Sequence, residues 1–295
     1  MGLGAVAVVT SACLYARSIQ IQMSKALPTR FKKIPRFYIA SSLFLVLGGI
    51  LGGVLSQQAD SDLKYRVLIS HYSTNIFGWI GITVAGTLIT FIPTMLRTQL
   101  PEMAENHCYK SLPWLVISVL AIDSGALLNI RSIAVLGIVT YLSAWIFLLS
   151  PHLRFVVRKQ SPFAFISTAF SIIWLVIALI NLGIDVAGSN TWKLISDRAE
   201  SLIFMLGIGF ALQIGLGALS YLIPVVLGGG PTKTRQNTSI SERLKITRLI
   251  AHNVGLGLLV VNFSRLSFLF GGVLIALSLI LNLFLLGSLR PANHN

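Results

Sequence analysis

Length, composition and charge place this chain in a membrane. It has 295 residues, of which 55% are hydrophobic and 11% are charged, and its mean hydropathy is +0.81. A soluble domain carries about a quarter charged residues, so these values exclude a soluble globular protein. The net charge of +14 does not predict nucleic-acid binding, because the basic residues are spread over short loops between apolar stretches.

Nine apolar stretches follow one another along the chain, most within the roughly 17–25 residues that a membrane span needs. They predict an all-α, polytopic transmembrane helical bundle that forms one integral membrane domain over residues 1–295. Two tight turns, Asn129–Arg131 and Ser264–Leu266, predict antiparallel neighbours. The stretches are Gly2–Ala16, Phe37–Leu55, Val67–Leu96, Pro113–Ile130, Ser132–Leu149, Phe163–Ala187, Ser201–Leu227, Leu249–Asn262 and Leu266–Leu289.

The distribution of lysine and arginine predicts the orientation. If the loop Arg17–Arg36 is cytoplasmic and the loops alternate, 17 of the 23 basic residues lie inside and 6 outside. We therefore expect a multi-pass plasma-membrane protein with its N-terminus outside and its C-terminus in the cytoplasm. In the longest inner loop, Gly228–Arg248, the pattern Ser239-x-x-Glu242 predicts a capping box that starts a short helix.

A shift of 131 residues aligns the third stretch with the seventh. Identical residues then coincide, among them Gly78 with Gly209 and Pro93 with Pro224. The same shift aligns the first stretch with the fifth, the second with the sixth and the fourth with the eighth. These matches predict a parallel four-helix repeat, with units at about 1–131 and 132–262 and an extra C-terminal helix at 266–289.

The third stretch carries an unusual polar face. At about 100° per residue, eight of its residues share one third of the helix circumference, and the opposite side is apolar. Imidazole, amide, hydroxyl and small side chains are unfavourable against lipid, so this face is expected to point into the bundle. The eight residues are His71, Asn75, Gly78, Trp79, Ile82, Gly86, Thr90 and Pro93.

Two motifs resemble a known family. His71-x-x-x-Asn75-x-x-Gly78-Trp79 resembles the histidine-bearing helix of proteins related to subunit I of haem–copper oxidases. Tyr221-Leu-Ile-Pro224-Val-Val-Leu-Gly228 resembles the Tyr/Pro/Gly end of such a helix. The chain is also similar to small actinobacterial membrane proteins of that kind and, more loosely, to the haem-and-copper membrane family of the nitric-oxide response.

The resemblance implies arcs of four helices and a low-spin haem bound near the outer face by the histidine, here His71. The sequence departs from the family at Ser73, where relatives often carry a second histidine. The copper-binding His-x-x-x-Tyr and His-His motifs have no counterpart, and the chain ends one helix into the third arc. The resemblance thus implies a redox component without terminal reductase chemistry of its own.

Candidate ligands and polar residues follow from depth in the membrane. Met205 lies at the depth of His71 and is the candidate second axial ligand, whereas His252 lies near the opposite face and is expected to be a packing residue. Asp123 and Gln213 are the intramembrane polar residues, and a buried carboxyl is a functional candidate by default. Asp123 is expected to pair with Gln213 or with a threonine of the third stretch.

Three functions remain open at this point. The first is a haem- or copper-associated redox component, with His71 and Asn75 at a b-type haem or copper site and a partner redox subunit. The second is a transporter or permease that uses Asp123 and Gln213. The third is a non-catalytic membrane subunit of a larger complex. No P-loop, dinucleotide fingerprint or hydrolase elbow is present, so an enzyme is not expected.

Overall fold

The structure is a computed structural model that describes residues 2–25, 34–155 and 161–290. Several basic residues used to predict the orientation lie outside these ranges, namely Arg30, Lys32, Lys33, Arg158 and Lys159. Within the described ranges the chain forms helices and no strand. The helices are α1 (Leu3–Lys25), α2 (Pro35–Leu55), α3 (Asp62–Leu96), α4 (Ala104–Leu127), α5 (Arg131–Leu149), α6 (Phe163–Gly188), α7 (Trp192–Asp197), α8 (Ala199–Val226), α9 (Gly230–Ser241), α10 (Lys245–Val261) and α11 (Arg265–Gly287).

The helices confirm the predicted all-α polytopic bundle. Within the described ranges, eight helices are long and apolar enough to cross a membrane, and the pair α9 and α10, bent by 43°, would make a ninth. Lipid offers no hydrogen-bond partners, so an unpaired backbone N–H or C=O group inside a membrane is energetically costly. These helices avoid that cost because their backbone groups bond within each helix and their side chains are mostly apolar. The chain is therefore a multi-pass membrane protein by length and composition of its helices.

Some helix ends differ from the predicted ones. The first apolar stretch ends at Ala16, whereas α1 continues to Lys25. The predicted capping box does not form: Ser239 lies inside α9, where its hydroxyl donates to Gln236 O at 2.8 Å. Helix α10 starts instead after Leu244, which has a left-handed backbone and no side-chain cap.

The chain divides into two compact units. The first consists of Met1–Thr94, Thr98–Val157 and Leu179–Arg198. The second consists of Met95–Arg97, Arg158–Ala178 and Ala199–Asn295. Helix α6 therefore contributes its first half to the second unit and its second half to the first, and each unit is described separately below.

In the first unit, α4 and α5 pack as an antiparallel hairpin. A Cβ on Gly125 would lie 2.4 Å from Ala134 N, and one on Gly137 would lie 2.8 Å from Ile122 N, so the two backbones touch through their glycines. The turn between the helices uses Asn129 with a φ of 59°, a left-handed conformation that asparagine tolerates. The antiparallel prediction from the Asn129–Arg131 turn is confirmed.

Helices α2 and α3 also run antiparallel in the first unit, and their contacts confirm the direction of the predicted polar face. A Cβ on Gly78 would lie 2.5 Å from the Phe44 ring, and one on Gly86 would lie 2.6 Å from Phe37 Cβ. The face of α3 therefore packs on α2 as expected. Trp79 was predicted to lie on this inward face, but its side chain is 40% exposed.

In the second unit, α10 and α11 form another antiparallel hairpin. A Cβ on Gly255 would lie 2.9 Å from Gly271 O, which again brings two backbones together. Arg248, counted as a loop residue in the sequence, is fully buried in α10. Its guanidinium donates to Asn282 Oδ1 at 2.9 Å and Ser241 O at 2.6 Å, and it lies 3.8 Å from the centre of the Phe163 ring. These contacts replace the water that the charge has lost.

Each of the long helices α3 and α8 contains a π-helical segment, at Thr74–Gly81 and at Phe204–Leu212. Moving the first segment by 131 residues places it on the second to within one residue. π-helices are rare and occur most often as short bulges at functional sites. The coincidence of two such segments supports the four-helix repeat, which remains a prediction.

Candidate functional site

The site begins at His71, which lies in α3 just before the π segment. Its Nδ1 is 3.0 Å from Gly48 O and 3.4 Å from Asn75 Nδ2. A carbonyl oxygen can only accept, so the shorter contact requires Nδ1 to carry the proton and donate it to Gly48. In a neutral imidazole, Nε2 then keeps its lone pair, and among the described residues it has no hydrogen-bond partner.

Asn75 holds the backbone of the turn that carries His71. Its Nδ2 donates to the backbone carbonyl of His71 at 2.8 Å, one turn back along α3. A Cβ on Gly48 would lie 2.6 Å from Asn75 Oδ1, so only glycine leaves room for the amide at that point of α2. The structure therefore brings together His71 and Asn75, the two residues that the sequence analysis assigned to one site.

Glycines of α2 form the facing wall. A Cβ on Gly52 would lie 3.1 Å from His71 Cε1, and one on Gly49 would lie 3.0 Å from the Val9 side chain of α1. Beside them is a cavity of about 400 Å³, within the range of about 300–1,000 Å³ that ligand pockets occupy. The cavity is lined by Gly2, Gly4, Ala5, Val8, Leu45, Gly48, Gly49, Gly52, Gly53, Ser56, His71 and Asn75.

A buried carboxyl group of α4, that of Asp123, lies against the same part of α3. Thr74 Oγ1 donates to Asp123 Oδ2 at 2.8 Å, and Ser70 Oγ donates to the Asp123 backbone carbonyl at 3.3 Å. Asp123 is 4% exposed, and among the described residues its Oδ1 makes no hydrogen bond within the usual geometric limits, although the Ser73 hydroxyl also interacts with the carboxyl. Of the two partners expected for Asp123, the structure shows the threonine.

Gln213 and Met205 lie in the second unit, on α8. Gln213 Nε2 donates to Asn253 Oδ1 at 3.4 Å, its backbone carbonyl accepts from Ser167 Oγ at 2.9 Å, and its buried Oε1 has no hydrogen bond. Met205 lies in the π segment of α8 and is fully buried. Because both residues belong to the second unit, the pairing of Met205 with His71 remains a prediction.

The two π segments share a feature that sequence reasoning missed. In the first unit, Tyr141 Oη donates to Phe77 O at 2.8 Å, and in the second, His252 Nε2 lies 3.2 Å from Ile208 O. Phe77 and Ile208 are 131 residues apart. In each segment, a side chain from another helix forms a hydrogen bond with the carbonyl at the equivalent position. His252 is thus satisfied by packing, as expected, but the sequence carries no signal for a π-helix that would have identified its acceptor.

The described residues offer one ring nitrogen, His71 Nε2, to a cofactor. Among the described residues, no group of three or more His, Cys, Asp or Glu side chains is arranged to hold a metal. A tetrahedral or trigonal ion needs three or more such ligands, whereas one axial haem position needs a single histidine. Copper bound at His71 therefore has no support from the described residues.

No family model, curated protein or solved structure matches this chain. The resemblance to haem–copper oxidase-like proteins accordingly remains a prediction from two short motifs.

Proposed function

We propose that this integral membrane protein is a haem-associated redox component in which His71 supplies one axial ligand from Nε2. The observation that carries the proposal is the contact of Nδ1 with Gly48 O at 3.0 Å. Ligating histidines almost always donate their other ring N–H to a carbonyl or carboxylate, because that bond sets the tautomer and makes the ligating nitrogen more basic. The cavity of about 400 Å³ beside the ring gives a cofactor access.

The residues around His71 would orient the ligand. The Gly48 carbonyl accepts a hydrogen bond from His71 Nδ1 and so prevents the imidazole from rotating. Asn75 holds the backbone of the same turn through its hydrogen bond to His71 O. The glycines of α2 keep the wall free of side chains. A bound haem would supply one-electron transfer. The pairing of His71 with Met205 stays a prediction from the sequence, and a partner redox subunit or an exchangeable ligand is the alternative source of a second ligand.

An absorption spectrum of the purified protein tests the proposal. We expect a Soret band after expression with excess haem precursor, its loss in His71→Gly, and its partial return when imidazole is added to that variant. His252→Ala is the matched control, because it also removes an intramembrane histidine, and it should keep the band. A wild-type protein with neither a Soret band nor bound copper by elemental analysis would refute the redox assignment and favour the non-catalytic subunit.

A second candidate function, transport, is favoured by one observation, the burial of the Asp123 carboxyl, which is 4% exposed and lies inside a predicted membrane span. A carboxyl group inside a membrane protein is costly to bury unless it is protonated or paired, and it marks proton and ion pathways. Pyranine-loaded proteoliposomes separate the two functions. Transport predicts that Asp123→Asn abolishes proton flux while His71→Ala leaves it unchanged. The redox proposal predicts no proton flux in the wild type, in Asp123→Asn or in His71→Ala.

A further inference from the structure

A second cavity lies in the second unit, where several helix ends meet. Its volume is about 380 Å³, and its walls come from the end of α3, the start of α6, the last turns of α8 and the helix α9. The charge bias of the loops places it at the cytoplasmic surface. It is lined by Met95, Leu96, Arg97, Pro162, Ala164, Ser220, Tyr221, Arg235, Thr238, Ser239 and Glu242.

The charge of this cavity is dominated by two guanidinium groups. Arg97 and Arg235 line it, and neither makes an ion pair with any described residue. The one acidic side chain in the wall, Glu242, is already engaged: its two oxygens accept from Phe163 N at 2.9 and 3.1 Å, and Oε2 lies 3.7 Å from Lys245 Nζ. The cavity is thus electropositive.

Arg97 has a backbone conformation that is unfavourable for an arginine. Arg97 has a φ of 52°, and Thr98 N closes the end of α3 by donating to Pro93 O at 2.9 Å. This left-handed cap favours glycine, because a Cβ is strained in that backbone conformation. At the offset of 131, α8 ends on Gly228 with a φ of 66°. Strained backbone of this kind concentrates at binding sites.

We propose that this cavity binds a phosphate group through Arg97 and Arg235. Guanidinium groups pair with phosphate oxygens by two parallel hydrogen bonds, and basic pockets on the cytoplasmic side of membrane helices hold lipid headgroups. The wall also contains apolar side chains, Met95, Leu96 and Ala164, which can contact the glycerol and acyl carbons of a phospholipid. The phosphate comes either from an anionic phospholipid or from a soluble phosphate ion.

Binding is tested on the full chain in detergent with two probes, phosphatidylglycerol and inorganic phosphate, with phosphatidylcholine as the neutral lipid. Native mass spectrometry reports retained lipid, and the thermal shift reports both probes. Arg97→Asn removes the charge but keeps a residue that tolerates the left-handed backbone. We expect this variant and Arg235→Gln to bind the preferred probe at least about tenfold more weakly, since each removes a charge-assisted contact. Arg243→Asn, an exposed basic residue outside the cavity, should bind as the wild type does.

The outcomes separate the sources and test the site. Phosphatidylglycerol retention with this arginine dependence identifies a lipid site, and a phosphate-induced thermal shift with the same dependence identifies a soluble ligand. Arg97→Gly gives an independent readout, because it relieves the backbone: thermal stability without ligand should hold or rise while binding falls. Equal loss in Arg243→Asn, equal retention of phosphatidylcholine, or no binding of either anionic probe would overturn the proposal.

Discussion

Helices α3 and α8 share one set of features and differ in another. Both contain a π segment at the same register, both have one carbonyl of that segment satisfied from another helix, and both pack a glycine against an aromatic ring. The side chains at the His71 turn differ. At the offset of 131, His71, Thr74 and Asn75 correspond to Leu202, Met205 and Leu206. We infer that the shared features are scaffold and that the polar residues found only in α3 carry function.

The glycines give the largest expected effect. A Cβ on Gly78 would lie 2.5 Å from Phe44 Cγ, and one on Gly209 would lie 2.6 Å from Trp174 Cγ. Because both contacts are with large rings, Gly78→Ala and Gly209→Ala should each lower the free energy of unfolding by about 1–3 kcal/mol. Thermal unfolding in detergent measures the change.

Gly207→Ala is the matched control for this pair, because a Cβ there meets nothing within 4 Å and the residue lies in the same π segment as Gly209. It should leave stability near that of the wild type. If Gly78→Ala were strongly destabilising and Gly209→Ala neutral, the two helices would not share a scaffold, and the inferred division between scaffold and function would fail.

The next-largest effect concerns a position at which α3 and α8 carry different side chains, Thr74 and Met205. Thr74→Val removes the hydroxyl that donates to Asp123 Oδ2 and should destabilise by about 1–2 kcal/mol, less than the glycine substitutions, because the Ser73 hydroxyl still interacts with the buried carboxyl. Met205→Leu, at the corresponding position of α8, changes one apolar side chain for another of similar volume and should change stability by less than about 1.5 kcal/mol. Chemical denaturation of both variants gives the comparison.

Met205→Leu also tests the candidate haem ligand. If Met205 only packs, a haem-loaded protein should show the same Soret band with and without the substitution. A shifted band together with a lower reduction potential would show that the sulfur is an axial ligand, because a thioether raises the potential of a haem relative to other ligands. That result would assign function to α8 as well and would weaken the contrast with α3.

The sequence predicted the helices better than it predicted their neighbours. Long apolar stretches must be helical in lipid, so the spans and the inward direction of the His71 face followed from composition and periodicity. The partners of that face depend on the register between α2 and α3, which one sequence does not define. The glycine run Gly48-Gly49-x-x-Gly52-Gly53 was a readable signal of close approach, but nothing in it identified His71 as the neighbour.

Two further misses have separate physical causes. The π segment Thr74–Gly81 of α3 was not predicted, because no residue pattern distinguishes a π turn from an α turn, and Trp79 within it is 40% exposed. Glu242 was read as part of a local capping box but instead accepts from Phe163 N, 79 residues away in sequence. A tertiary contact replaced the local one because the unpaired N–H groups at the start of α6 also attract a carboxylate.

The smallest expected effect is at the N-terminal end of α3. Helices α3 and α7 start on similar caps, Ser61 accepting from Lys64 N at 3.3 Å and Thr191 accepting from Leu194 N at 3.2 Å. In the first turn of α3, the Tyr65 hydroxyl donates to Asp60, which precedes the helix. This hydrogen bond, together with the positive charge of Lys64, lowers the pKa of the exposed Asp60 carboxyl. At the offset of 131, Asp60 and Tyr65 correspond to Thr191 and Ser196, neither of which titrates in this range.

Acid should therefore weaken this end of α3 by a mechanism that the corresponding region lacks. Because the folded pKa of Asp60 lies below its unfolded value of about 3.8, the stabilisation is complete above that pH and is lost as the pH falls through the folded pKa. Tyr65→Phe should move the Asp60 titration, followed by NMR of labelled aspartate, up toward 3.8. An unmoved midpoint would show that the charges of Lys64 and Lys193 lower the pKa of Asp60 without the hydroxyl of Tyr65, which would then have no part in what distinguishes the two helices.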